Sequence, residues 1–151
     1  MRIHHFALSL LLVIAMLSSE ANLAADAPAN LVGNYTAEKT ICFLGATGDF
    51  TECEEAHDAL EISSIKKDSS SEVFFVKADF IFTNGHTCNF EGHGYWNSTD
   101  RLETTSKETG CELILIHTPP TLHTVVRTPE QCKEHCGMRA NLDAVVLIKK
   151  N

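Results

Sequence analysis

Residues 72–96 read EVFFVKADFIFTNGHTCNFEGHGYW, and their apolar side chains sort by parity. Phe74, Val76, Ala78, Phe80 and Phe82 fall on one face; Val73, Phe75, Lys77, Asp79 and Ile81 fall on the other. Successive side chains of an extended chain point to opposite sides, so this period of two is a strand signature. Past Asn84-Gly85, Cys88, Phe90, Gly92, Gly94 and Trp96 again share one face. Two alternating runs about a turn predict a β-hairpin, and a hairpin of this length commits the chain to a sheet.

The turn fixes the register. A two-residue Asn84-Gly85 turn sets Phe82 against Thr87 and Phe80 against Asn89, placing polar groups on the apolar face. A three-residue Thr83-Asn84-Gly85 turn keeps parity and gives Gly85 the left-handed position that glycine enters without strain. The expected pairs are then Phe80 with Cys88, Ala78 with Phe90, Val76 with Gly92 and Phe74 with Gly94, large against small. On the outer face Lys77 meets Glu91, a favourable cross-strand pair.

Around this hairpin the pattern predicts further short strands. Residues 31–43 give one or two strands, and residues 58–65 alternate through Leu60 and Ile62. Residues 101–106, 111–118 and 121–127 follow, with Pro119-Pro120 ending one strand because proline cannot donate to a ladder. Thr128, Pro129 and Gln131 compose a capping box at the start of a short helix, with Gly137 as its C-terminal stop. Residues 142–149 read as a closing strand. The predicted fold is mainly β: a small antiparallel β-barrel or sandwich of seven to eight strands with one short C-terminal helix, stabilised by disulfides.

Residues 1–25 stand apart. Arg2, a short apolar run over residues 6–17 and the small residues that follow are the pattern of a secretory signal peptide, with cleavage expected after Ala21 or Ala25. Residues 26–151 then form one domain. All six cysteines lie there, and an even number in an exported chain predicts three disulfides. Cys42 and Cys53 bracket an acidic, glycine-rich stretch, GATGDFTECEEA, and are expected to close it as a loop. A strand folding back after Trp96 brings Cys111 level with Cys88, which suggests Cys88–Cys111. Cys132 and Cys136, one helical turn apart, remain as the third pair.

The residues that could carry chemistry point away from catalysis. His86, Cys88 and His93 resemble a metal cluster, but the register puts His93 on the opposite face from the other two. Cys132, His135 and Cys136 are a second metal candidate, and they would need reduced thiols. Cysteine-based catalysis also needs a free, activated thiol, and an even count in an oxidising compartment argues against one. There is no Gly-x-Ser-x-Gly elbow and no His-Glu-x-x-His. Asn34-Tyr35-Thr36 and Asn97-Ser98-Thr99 are glycosylation sequons, relevant only in a eukaryotic secretory route. No enzyme activity, cofactor or bound metal is expected.

The formal charge of −8 argues against nucleic acid and anionic membranes as partners and suits a basic protein. The stretch between residues 49 and 61 is the most informative charged feature, and Asp49, Glu52, Glu54 and Glu55 are its candidate binding residues. Phe74, Phe80, Phe90 and Trp96 raise a second reading, a barrel interior that carries a small apolar ligand; in an eight-stranded barrel such rings more commonly fill the core.

Two local patterns add a resemblance. Asn84-Gly85-His86-Thr87-Cys88 after an aromatic strand, Gly110-Cys111-x-Leu113, and Cys132-x-x-x-Cys136-Gly137-x-Arg139 before Asn141-Leu142-Asp143-Ala144 are similar to motifs of small exported proteobacterial proteins of unknown function. The likeness spans roughly residues 72–146 and implies a periplasmic setting, with no catalytic residue or ligand. In size, acidity, disulfides and β content the chain also resembles periplasmic lysozyme inhibitors as a class. The expectation is a non-enzymatic periplasmic or secreted binding protein, directed at a cationic enzyme such as lysozyme.

Overall fold

The computed structural model describes residues 26–67, 72–97, 100–137 and 140–151. The expected signal peptide and residues 68–71, 98–99 and 138–139 lie outside them, so the second sequon is described only at Asn97 and Arg139 not at all. Eight strands form a closed barrel in chain order: β1 Gly33–Leu44, β2 Phe50–Lys67, β3 Glu72–Ile81, β4 Thr87–Asn97, β5 Arg101–Thr105, β6 Glu112–Thr118, β7 Thr121–Val126 and β8 Val146–Lys149. Every neighbouring pair is antiparallel, and β8 closes on β1 through Tyr35↔Lys149 and Thr36↔Ile148. The barrel alternative is thus the one adopted. Closure leaves no sheet edge along the barrel proper and turns one face of every strand into a shared interior.

The β3–β4 hairpin has the expected register throughout, from Phe80↔Cys88 to Phe74↔Gly94, with Lys77↔Glu91 on the outside and their charges 3.5 Å apart. Residues 83–85 form a single 3₁₀ turn with Gly85 at φ +70°, and the Gly85 amide donates to the Phe82 carbonyl. Inward parity carries the core: Tyr35, Leu60, Ile62, Phe74, Val76, Phe80, Phe90, Leu102, Leu113, Leu115, Leu122 and Leu147 are all buried. Eight strands enclose just enough room for such side chains to fill. At one end Leu31 plugs the barrel; the Tyr35 hydroxyl donates to its carbonyl (2.7 Å), and Lys149 Nζ donates to the Asn30 and Val32 carbonyls. Burial pushes the Tyr35 phenol up to about 12.

Several elements depart from the sequence reading, each for a local reason. β8 begins at Val146 rather than at residue 142, because residues 142–145 wrap around Thr124. The Thr124 hydroxyl donates to the Leu142 carbonyl (2.6 Å), the Ala144 amide donates to the Thr124 carbonyl, and Ala144 sits at φ +59°. Helix α1 spans only Pro129–Cys132 and runs on as a 3₁₀ turn, Lys133–His135. Its capping box does not form, since the Thr128 hydroxyl accepts instead from the Glu112 amide at 2.7 Å and pins the helix to β6. Gly137 is not a left-handed stop either: Cys136 is already extended, and the Gly137 amide donates to the Thr87 carbonyl.

The disulfides are Cys42–Cys53, Cys88–Cys136 and Cys111–Cys132. Only the first matches expectation. Cys88–Cys111 fails because β5 stops at Thr105 and the chain turns at once, the Ser106 amide donating to the Cys111 carbonyl, so Cys111 lies on β6's side of that turn. Pairing between β4 and β5 begins only at His93↔Thr105, and the β4 edge left open is taken by Cys136, which forms a bridge with Cys88. Cys132, carried on the helix that Thr128 ties to Glu112, meets Cys111. Three bridges fit a protein of an oxidising compartment.

Candidate functional site

The most distinctive geometry lies where β1 and β2 outrun the barrel. β8 pairs with β1 only at Tyr35 and Thr36, and β3 pairs with β2 only from Ala59 onward. Residues 37–44 and 50–58 therefore pair with each other alone, as a two-stranded ribbon. The stretch expected to be an acidic loop is mostly strand: Glu52, Glu54, Glu55 and Asp58 lie in β2. The reason is Cys42–Cys53, a directly opposed cross-strand pair whose Cα atoms are 4.0 Å apart. It holds the ladder together up to a tip of residues 45–49, closed by the Gly45 amide donating to the Asp49 carbonyl.

The ribbon is rooted as well as clamped. Asp58, 3 % exposed, receives the Ile81 amide at 2.9 Å and the Lys39 ammonium at 2.6 Å. Lys39 also stands 4.6 Å over the Phe82 ring. Ile41 and Ala56 are buried and the Phe43 ring borders Gly85, so one face of the ribbon packs over the β3–β4 turn, while Leu44 and the stretch from Glu52 to Glu55 are exposed.

All four candidate binding residues are exposed, but they do not share a face. Asp49 is at the tip, where its carboxylate accepts from the Thr47 hydroxyl. Glu52 and Glu54 lie opposite Phe43 and Ile41, on the face continuous with the barrel interior. Glu55 lies opposite Thr40 on the other face, one diagonal step from Glu38 and next to the Cys42–Cys53 bridge. Among the described residues, Glu38, Glu52, Glu54 and Glu55 have no ion pair. Glu38 was not singled out by the sequence; only the ladder register brings it beside Glu55.

The metal candidates are taken apart by the covalent framework. Cys88, Cys132 and Cys136 are all in disulfides, and a disulfide sulfur is not a thiolate ligand. His93 faces outward with its ring 5.3 Å from Phe75, and His86 remains at the β3–β4 turn beside Gly137. Both His135 nitrogens have neighbours, Thr109 Oγ1 at 2.7 Å and the Asn89 carbonyl at 2.9 Å. The four aromatics of the carrier reading sit inside: Phe74, Phe80 and Phe90 are fully buried core residues, and Trp96 packs against them edge-on to His117.

Among the described residues His117 is the one buried histidine, 6 % exposed and gripped edge-on between Tyr35 and Trp96. Burial, helped by the nearby Lys149 charge, holds its imidazole below the ordinary value. On the outside, paired hydrogen bonds from Arg127 (3.0 and 3.1 Å) and one from Asn97 hold the Glu103 carboxyl below the usual range. Both groups belong to the barrel wall, His117 on its inner side and Glu103 on its outer side. Comparison with protein-family models, curated proteins and solved structures finds no match.

Proposed function

We propose that the protein is an exported, non-enzymatic binding protein that uses the β1–β2 ribbon to engage a cationic protein, and that lysozyme-type enzymes are the class to test. The observation that carries this reading is the ribbon itself. It projects past a packed barrel, is held by a disulfide and a buried carboxylate, and shows unpaired acids on both faces. A segment that is already ordered loses little conformational freedom on docking. With a formal charge of −8 behind it, approach of a basic protein is electrostatically steered. The resemblance to small exported proteobacterial proteins and the three disulfides support a periplasmic or secreted setting.

The test mixes residues 26–151 with lysozymes at low ionic strength and scores complex formation and bacteriolysis. The expected result is a complex that weakens as salt is added, slower lysis, and about 10-fold slower association for the triple variant Glu52→Gln, Glu54→Gln, Glu55→Gln. No association at low salt would overturn the proposal, since opposite charges attract most strongly there.

A further inference from the structure

Among the described residues, no strand pairs with one edge of the ribbon. β1 is bonded to β2 along its whole length, yet on its other side the β8 ladder ends at Thr36. Beyond that point the chain before Val146 turns away from β1 to wrap Thr124, with the Thr124 amide donating to the Val145 carbonyl. Residues 38–42 are left without a ladder partner on that side among the described residues.

Which backbone groups face that side follows from the ladder. The short Cys42–Cys53 Cα separation marks a non-hydrogen-bonded pair, and in an antiparallel ladder such pairs alternate with bonded ones. The amides and carbonyls of Cys42, Thr40 and Glu38 therefore point away from β2. The closed part of the barrel agrees: Asn34, of the same parity, presents its carbonyl to β8 and receives the Lys150 amide at 2.8 Å. Glu38 and Thr40 are exposed and Cys42 is half-buried. Among the described residues the backbone of these three has no partner on that side. An open strand edge with a row of free donors and acceptors is the geometry that accepts an added strand.

We infer that this edge takes an extended, lysine- or arginine-bearing segment of the partner as a ninth strand beside β1. The inference rests on the proposed function and specifies how that partner is held. Charge selects the occupant. Glu38 lies on the edge strand, where an incoming strand's outward side chains would run beside it, and Glu55 on the strand behind adds negative charge to the same face within reach of a long basic side chain. Pairing with a second copy would instead set these acids against their own kind, on molecules each carrying −8.

The test uses a blocked decapeptide of alternating lysine and threonine, and a fully backbone N-methylated version that keeps the charge but lacks strand donors. Thr40→Pro removes one outward amide without touching the β1–β2 bonds, as proline is tolerated on strand edges. The expected result is that the plain peptide slows exchange of the Glu38, Thr40 and Cys42 amide protons at least ~10-fold. Binding should weaken about 10-fold or more for the N-methylated peptide and for Thr40→Pro. Equal binding of both peptides with no protection of these amides overturns the strand-addition inference and leaves the acidic-ribbon reading standing. Failure of both peptides to bind at low salt overturns that reading as well. Protection that rises with protein concentration alone, with the mass of a dimer, overturns the basic-segment occupant in favour of a second copy.

Discussion

At Gly94 the hairpin allows no side chain. A Cβ there would run into the Glu103 carbonyl and the Thr104 methyl across the β4–β5 ladder. Gly94→Ala is expected to lower unfolding free energy by about 1–3 kcal/mol, measured by urea denaturation, because backbone cannot yield as a flexible side chain would. That Phe74 faces a glycine here was legible in the sequence, since parity and large–small complementarity both follow from residue identity; the steric reason, an approach of β5, was not. His117 gives a pH-dependent counterpart. Its folded pKa is depressed, so as pH falls below about 6.5 the unfolded imidazole takes up a proton that the folded one refuses. Stability should be level above that pH, fall as pH drops through the window between the unfolded and folded values, and level off below it. His117→Phe should flatten this slope in denaturation midpoints taken from about pH 7.5 to about pH 5.

The ribbon's two fastenings act differently on the element they hold. Removing Asp58 leaves the Ile81 amide and the half-shielded Lys39 ammonium without their acceptor. Asp58→Ala should cost roughly 2–4 kcal/mol of stability, and Asp58→Asn less, because the amide oxygen can still accept from Ile81. Replacing Cys42 and Cys53 together by alanine releases a short loop and should cost at most about 3 kcal/mol. Its clearer sign is local: amide exchange should accelerate over residues 37–58 and stay unchanged in β3 to β7. Removing Cys88–Cys136, with its sequence separation of 48, should destabilise more than removing Cys42–Cys53, with its separation of 11. The local bridge was readable because it closes a stretch without reference to the rest of the fold. The other two depend on β5 ending at Thr105 and on Thr128 turning to Glu112, tertiary facts that cysteine spacing does not encode. The same limit hid the ribbon: glycine and acidic residues suggested a loop, whereas the cross-strand cystine, the Asp58 root and packing over the β3–β4 turn hold it as strand.

The described residues form a filled barrel with one appendage. Alternation along each strand was enough to place the apolar faces and to predict seven to eight strands; barrel rather than sandwich was not legible, because closure depends on β8 pairing with β1, a long-range contact that alternation does not encode. The surface that matters most in the account, an acid-rimmed ribbon with an open edge, arises because β1 and β2 are longer than the strands that should flank them, a mismatch visible only once all eight are paired. Its claim to be the working surface is most directly tested by hydrogen-exchange mass spectrometry of residues 26–151 with and without a cationic lysozyme at low salt. Protection is expected to concentrate in residues 37–58. Protection over the exposed apolar outer face of β7 and β8, at Val125, Val146 and Ile148, with the ribbon unchanged, would contradict it.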